Sequence, residues 1–357
     1  MRVCYFGQAR ADYPRHRVIS RGLRRLGVEV VECFVSHRLD QRDAQRALQA
    51  AFAQLEGRFD ALLVAEFNHP HLLFAQSLAR FHRLPIVYDF FVSLYDSTVN
   101  DRGQVKAFSP RALQLWLLDF LAAQIPDHVL VDTASHRRYY AQLCGLNVNK
   151  CTVVPVGFDD EVFTPAPPPP PSDNLRILFY GSFIPLHGAD VIVRAAQLAA
   201  QTEPALHLTL IGDGQTLESV KAEAAQATNI TFLPPVPFAE LPTWIANSDV
   251  VLGIFGNTQK TQRVVPNKLY QGLAVGRPLI SGDTPAVREF FSPGDHLLTV
   301  PVGSPQALFE SLIQLKQDPS LRLRLAEQGH RQVIDKYSPT PIGQVVLTAL
   351  QKAVGRL

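Results

Sequence analysis

The residues best suited to chemistry concentrate in one stretch, Gly253 to Phe290, which reads GIFGNTQKTQRVVPNKLYQGLAVGRPLISGDTPAVREF. Asp249 to Ile254 predicts a buried strand, and Phe255 to Val265 carries the Gly, Asn, Thr, Gln and Arg of a binding loop. Pro266 opens a helix at a position where a missing N–H costs nothing; the helix should run from Asn267 through Lys268, Leu269 and Gln271 to about Val275. Gly276 stops it, and Pro278 to Ser281 makes the next strand, followed by a second helix start at Thr284-Pro285-Ala286. Strand end, loop and helix start thus converge twice. In an open parallel sheet ligands sit at such places, and the amides of a helix start suit a phosphate.

Three glycine-bearing turns also follow apolar strands: Gly7, Gly181 and Gly212-Asp213-Gly214. Each permits either a tight reversal or a close approach of backbone to a ligand. None forms GxGxxG or GxxxxGK(S/T), so nicotinamide cofactors and ATP hydrolysis lose their usual support, and no cofactor is expected. His69 and His71 share a loop at the end of a strand, where a capping loop with surface histidines is the plainer account. No third metal ligand follows them and no Asp-x-Asp occurs, so no metal site is expected.

These residues need a scaffold, and the pattern supplies one. Short apolar strands alternate with helices from Arg2 to Cys151-Pro155 and again from Arg176 onward, which predicts α/β architecture with parallel sheets covered on both faces. Between the two series stands Pro165 to Pro171, PAPPPPP, which reads as a stiff extended connector. The expected division is residues 1–164, a linker at 165–171, residues 172–338, and a last helix at 339–357 that packs back on the first domain. The excursion Asp89 to Gly103 exceeds ordinary strand-to-helix loops, and such loops are usually functional. At 357 residues with 46% hydrophobic and 18% charged residues, the chain can build both cores. Its net charge of +2 and its lack of basic, aromatic-interleaved clusters disfavour nucleic acid. Cys4, Cys33, Cys144 and Cys151 show no CxxC spacing and read as reduced thiols, and no apolar run is long enough to span a membrane. A soluble, cytoplasmic protein is expected.

Taken together, Leu178-Phe179-Tyr180-Gly181, His187-Gly188, Leu208 to Gly214, Pro266-Asn267-Lys268 and Leu273-Ala274-Val275-Gly276-Arg277-Pro278-Leu279-Ile280 resemble the C-terminal half of a family 4 retaining glycosyltransferase. Val153 to Phe163 is similar to that family's interdomain "pxGvD…F" signature. The resemblance implies a GT-B fold, two Rossmann-like doubly wound domains facing across a cleft, with the first on the acceptor side and the second holding a nucleoside diphosphate sugar. It also implies a metal-independent transferase of polysaccharide or glycolipid biosynthesis, with a saccharide or lipid-linked acceptor. Peripheral contact with the inner face of the membrane is a further expectation, through the helix with Lys106, Arg111 and Trp116 at its basic start; an ordinary helix between sheet and solvent would show the same composition.

The departures from that pattern matter. Where the family has a pair of glutamates with seven residues between them, this chain has Arg263 and Gln271. Where it has a cation after the first glycine of the second domain and a Lys-Gly beyond, this chain has Gly181-Ser182 and His187-Gly188. We read this as relocation of diphosphate neutralisation to Arg263 and Lys268, the alternative being that both are ordinary solvated charges. The family's histidine after the fourth strand is absent; Asp89 and Asp96 stand in that segment and could orient a sugar or acceptor hydroxyl, or cap the loop. The implied donor contacts are Gly7, Gly181, Ser182, His187, Gly188, Gly212, Pro266, Asn267, Lys268, Leu269, Gln271, Thr284, Pro285 and Ala286. Two other readings stay open: a non-catalytic nucleotide-sugar-binding protein, and a sugar-nucleotide epimerase.

Overall fold

The computed structural model describes residues 1–10 and 13–355. Two points of the sequence reading, residues 11 and 12 of the loop after the first strand and the end of the last helix at Leu357, lie outside the described residues.

The chain divides into two compact units, Met1–Pro155 with the segment from Ser338 onward, and Val156–Tyr337. The division therefore falls before the proline run. The reason is visible in the hydrogen bonds: Arg277 donates to the carbonyls of Ala166 and Pro167, and Arg176 donates to that of Pro170. The prolines lack N–H donors, so side chains of the second unit satisfy their carbonyls and hold the run against that unit.

In the first unit, β1 (Arg2–Ala9), α1 (Pro14–Arg25), β2 (Glu29–Ser36), α2 (Gln41–Ala53), β3 (Ala61–Val64), α3 (Leu72–His82), β4 (Ile86–Asp89), α4 (Pro110–Gln124), β5 (His128–Val131), α5 (Ala134–Cys144) and β6 (Cys151–Val153) follow in order. The sheet is parallel throughout, in the order β2-β1-β3-β4-β5-β6. Its strands read as continuous apolar runs because both faces are covered. The second unit holds β7 (Leu175–Tyr180), α6 (Ala189–Thr202), β8 (Leu206–Ile211), α7 (Leu217–Glu223), β9 (Ile230–Leu233), α8 (Leu241–Ala246), β10 (Val250–Leu252), α9 (Asn267–Ala274), β11 (Leu279–Gly282), α10 (Pro285–Phe290), β12 (Leu298–Val300), α11 (Pro305–Gln317) and α12 (Pro319–Tyr337). Its parallel sheet runs β12-β11-β10-β7-β8-β9, the doubly wound order in which the first strand stands at the centre.

The last helix, α13 (Pro339–Ala353), belongs to the first unit, where Ile342, Val346, Ala349 and Leu350 share a buried cluster with Val18, Ile19 and Leu23 of α1. The two helices touch backbone to backbone. A Cβ on Gly343 would stand 2.3 Å from Gly22 C, and one on Gly22 would stand 1.9 Å from Pro339 O.

Sequence reading also placed Gly7 after β1, whereas the strand continues to Ala9 and Gly7 lies inside it. The excursion after β4 is not a loose loop, for it contains one wide helical turn, Asp96–Asp101. Outside the core, α4 leaves Leu113, Leu117 and Phe120 exposed on one side. Among the described residues no helix is long and apolar enough to cross a membrane, and all four cysteines are buried and free.

Overfilling the α1–α13 contact should loosen the first unit. Gly343→Val is expected to lower unfolding free energy by about 1–3 kcal/mol or more, the range for forcing atoms into a packed contact. Urea unfolding followed by circular dichroism checks it, and an unchanged midpoint would contradict the contact.

Candidate active site

Strand order in the second sheet reverses between β7 and β10, and in this class of sheet the crevice outside the strand ends at that point is where ligands bind. The loops after those two strands are tied together. Phe255 N–H donates to His187 O at 3.0 Å, Gly256 N–H to Leu186 O at 3.3 Å, and the Thr261 hydroxyl to Leu186 O at 3.3 Å. A Cβ on Gly188 would stand 2.3 Å from Gly256 N, so this loop-on-loop contact explains the glycine.

Lys268 stands in the first turn of α9, whose start at Pro266 has no side-chain cap. Its side chain reaches the end of β7: the ammonium lies 4.0 Å from the centroid of the Phe179 ring, and a Cβ on Gly181 would meet Nζ at 3.2 Å and His187 Cε1 at 3.3 Å. Gly181 has φ +138°, open to glycine and closed to most side chains. The structure thus brings Gly181, His187 and Lys268 together. The lysine is 4% exposed, and Nζ has no hydrogen-bond partner among the described residues. Burial lowers its pKa to about 7, because a charge removed from water without a partner is disfavoured. The cation–π contact with Phe179 returns only part of what water supplied.

The remaining second-unit candidates are placed around this point. The ring of His187 bonds through Nδ1 to the carbonyl of Ser182, itself exposed, while a Cβ on Gly212 would stand 1.9 Å from Gly181 O. Gln271 is buried and its Oε1 accepts from Tyr180 Oη at 3.0 Å, so the amide's N–H groups are its remaining donors. Asn267 is half-buried at the helix start, and Leu269 is buried within the helix. Arg263 sits in the short turn Thr261–Arg263, half-buried and packed on α10. The Thr284 hydroxyl accepts from Val287 N–H at 3.2 Å, Pro285 has no N–H, and Ala286 is buried. Thr284 thus meets two N–H groups of that second helix start, while at the first the buried Lys268 ammonium has no hydrogen-bond partner among the described residues.

In the first unit Asp89 ends β4 and is fully buried; Arg15 of α1 grips both its oxygens, Nε to Oδ2 at 2.6 Å and Nη2 to Oδ1 at 2.8 Å. Arg15 also donates to Val154 O at 3.1 Å and lies over the Phe91 ring. Burial raises the carboxyl to about 6 although Arg15 opposes the rise. Asp89 thereby joins β4, α1 and the segment after β6. Asp96 is buried in the wide turn after β4, with Oδ1 accepting from Asn100 at 3.2 Å. That turn is fixed by Asp119 of α4, which accepts from the Ser93 hydroxyl and from the N–H groups of Leu94 and Tyr95. The space in front of Gly7 is filled by Asn68, whose side chain bonds Gln8 N and Gln8 O and ties the ends of β1 and β3. Packing, then, accounts for this glycine. His69 and His71 are buried, not surface residues, bonded to Tyr88 and Gln8 respectively.

Sequence reasoning passed over Arg15, His16, Glu66, Asp132 and His136. All five are buried at or beside the carboxyl ends of β3, β4 and β5. The one available signal was position: an acidic residue directly or soon after a buried strand in a parallel sheet. Among the described residues no group of three His, Cys, Asp or Glu side chains could hold a metal ion.

Two doubly wound units of this kind define the GT-B fold, and comparison with solved structures agrees. The chain superposes on the Anabaena protein Alr3699/HepE, solved in complex with UDP and glucose, with a TM-score of 0.71 at 15% identity, covering 99% of this chain and 100% of that one. Against the sucrose-phosphate synthase (tll1590) from Thermosynechococcus elongatus the TM-score is 0.74 at 14% identity, with both chains fully covered. Residues 174–318 match the family described as Glycosyl transferases group 1, which supports that family for the second unit. Among curated proteins, a D-inositol 3-phosphate glycosyltransferase of Thermomonospora curvata is 25% identical over 225 residues, 56% of this chain and 51% of that protein. The lipopolysaccharide core biosynthesis glycosyltransferase LpsE of Rhizobium meliloti is 24% identical over 184 residues, 50% of this chain and 51% of its own. The chain spans about half the length of these curated relatives.

The buried Lys268 ammonium, without a hydrogen-bond partner among the described residues, makes stability depend on pH. Its folded pKa of about 7 lies below the unfolded value, so between pH 7 and about 10.5 the unfolded state binds more protons and stability rises with pH. Below pH 7 the cost is fully present. Lys268→Met should therefore stabilise the unliganded protein most at pH 6 and little above pH 10. Urea unfolding of both proteins across this range tests it, and a variant less stable than the parent at pH 6 would contradict the assignment.

Proposed function

We propose that the protein is a retaining glycosyltransferase that moves a sugar from a nucleoside diphosphate sugar to an acceptor hydroxyl without a metal ion. The observation that carries this reading is the buried Lys268 ammonium, with no hydrogen-bond partner among the described residues, at the switch point of the second sheet beside Gly181 and His187. A diphosphate oxygen placed there completes the lysine and restores its charge; Arg263, on the same loop, supplies a planar fork for further oxygens. The group 1 match over this unit and the transferase names of the relatives support the same reaction class.

In the reaction the bond from the sugar's anomeric carbon to the diphosphate breaks and a bond to the acceptor oxygen forms on the same face. The acceptor proton passes to the departing diphosphate, so no protein base is required. Lys268 stabilises the charge that grows on the leaving group, an interaction stronger in the transition state than before it. Asp89 serves this chemistry as a positioning residue, holding Arg15 and the end of β4 in place, and Asp96 shapes the turn that follows. A non-catalytic nucleotide-sugar-binding protein remains the second reading, favoured by Gln271: a neutral amide already bonded to Tyr180 stands where the family has a carboxylate.

Lys268→Ala and Arg263→Ala should each weaken nucleoside diphosphate binding by about 1.5–3 kcal/mol, the range of a charge-assisted hydrogen bond, while free nucleoside loses far less. Calorimetry with UDP and uridine measures both. Release of UDP from UDP-sugars in the presence of acceptors should persist in excess chelator. Unchanged UDP affinity in both variants would refute the diphosphate site, and turnover that vanishes in chelator and returns with a divalent cation would refute the metal-free mechanism.

A further inference from the structure

The proline run has no part in the transferase reading. Ala166 and Pro169 are half-buried, while Pro165, Pro167, Pro168, Pro170 and Pro171 are exposed. A three-residue period of this kind is that of a polyproline II helix lying with one edge on the body and two edges free. The run is also held still. Arg277, itself 2% exposed, donates to the carbonyls of Ala166 at 3.1 Å and Pro167 at 2.6 Å, and Arg176 donates to that of Pro170 at 2.8 Å. A loose linker needs no such clamps, whereas a binding surface gains affinity from being rigid beforehand.

Beside the run lies a cavity of about 550 Å³, a size that takes a small molecule. It sits at the amino edge of the second sheet, where Leu175 begins β7 and where Asp249 and Pro278 directly precede β10 and β11. Gly181 and the Lys268 ammonium lie past the other end of β7, so the two places are distinct. Pro168 and Pro171, three residues and hence one turn apart, give the cavity a proline ridge. The first turns of α12 add Pro319, Leu323 and Ala326, and Leu323 is 52% exposed.

The charged groups at this cavity are largely matched within the protein. Asp249 accepts from Arg176 at both oxygens, Nε to Oδ2 at 2.8 Å and Nη2 to Oδ1 at 3.0 Å. Lys316 pairs with Glu203 at 2.6 Å, and Arg322 donates to the carbonyls of Leu315 and Lys316. These cations do not call for an anion, and the cavity suits a neutral, apolar body. Asp173, exposed just past the run, adds one carboxylate acceptor. A proline ridge favours an aromatic ring over an aliphatic one, because its C–H groups meet the electron-rich ring face. Proline-rich helices are recognised by aromatic-lined grooves for that reason. Here the ridge belongs to the receptor and the ring to the ligand.

We propose that the amino edge of the second sheet binds a small neutral aromatic molecule carrying one N–H or O–H donor, of the indole or phenol type. Its ring lies against Pro168, Pro171 and Leu323, and its donor meets the Asp173 carboxylate. The site is independent of the transferase reading and stands or falls without it.

Saturation-transfer NMR with indole tests it, with N-methylindole as the control that lacks the donor and cyclohexanol as the control that lacks an aromatic face. Indole should bind the parent at least fivefold more tightly than either control, and excess UDP should not displace it. Leu323→Asp puts a charge against the ring and should weaken indole tenfold or more. Asp173→Ala removes the acceptor and should bring indole down to the affinity of N-methylindole. Both side chains are exposed, so neither variant should lose the fold, and an unchanged thermal midpoint checks this. Failure of indole to bind at millimolar concentration, or either control binding as tightly as indole, would overturn the site. So would equal indole affinity in the parent and Leu323→Asp, which would place the ligand in some other cavity.

Discussion

The constraint on which the second unit turns is a lysine ammonium held out of water with no hydrogen-bond partner among the described residues. Desolvating a charge is expensive, and proteins normally pair it, hydrogen-bond it or neutralise it. Lys268 has a ring face beneath it and the bare backbone of Gly181 beside it. Glycines set the packing around it: Gly181 puts no side chain against Nζ, Gly212 lets the β8 turn press against Gly181, and Gly188 lets the two loops lock. Under the proposed function the missing partner is an anion that arrives with the substrate.

The first unit solves the opposite problem. Three carboxylates, Glu66, Asp89 and Asp132, gather at the ends of adjacent strands, and each is given a basic partner from a helix: His16 and Arg15 from α1, and His136 from α5. Only the pair at Asp89 is complete on both sides, since Arg15 uses both carboxylate oxygens. The other two leave one acceptor each. Among the described residues the second unit thus leaves the Lys268 ammonium, and the first unit Glu66 Oε2 and His136 Nε2, buried without a hydrogen-bond partner. A nucleoside diphosphate, the donor proposed above, is the chemical complement of the first deficit.

How much of this was legible beforehand follows from the range of each signal. The alternation of apolar strands with helices is local, and it placed the strands of both sheets and the helix at Asn267 because burial on both faces leaves a continuous apolar run. The place of Lys268 in the first turn of α9 was legible in the same way, from the proline and the apolar spacing that follow the strand. The division falls before the proline run, which looks like a free connector until Arg277, 111 residues from Ala166 in sequence, is seen with the nearby Arg176 to hold its carbonyls. Arg15 and Asp89 are 74 residues apart, and His16 and Glu66 are 50 apart. No periodicity links such pairs, so their meaning appears only when the sheet order brings the strand ends together.

Proton linkage tests the central claim most directly. If a diphosphate completes Lys268, binding must raise the depressed pKa of that lysine, and at pH 8 the protein must take up about one proton as the nucleotide binds. Titration calorimetry with UDP at pH 8, in buffers of differing ionisation enthalpy, reads that number from the slope of apparent heat against buffer enthalpy. The account predicts an uptake near one proton in the parent and none in Lys268→Met. A slope of zero in the parent, or the same slope in both proteins, would contradict it.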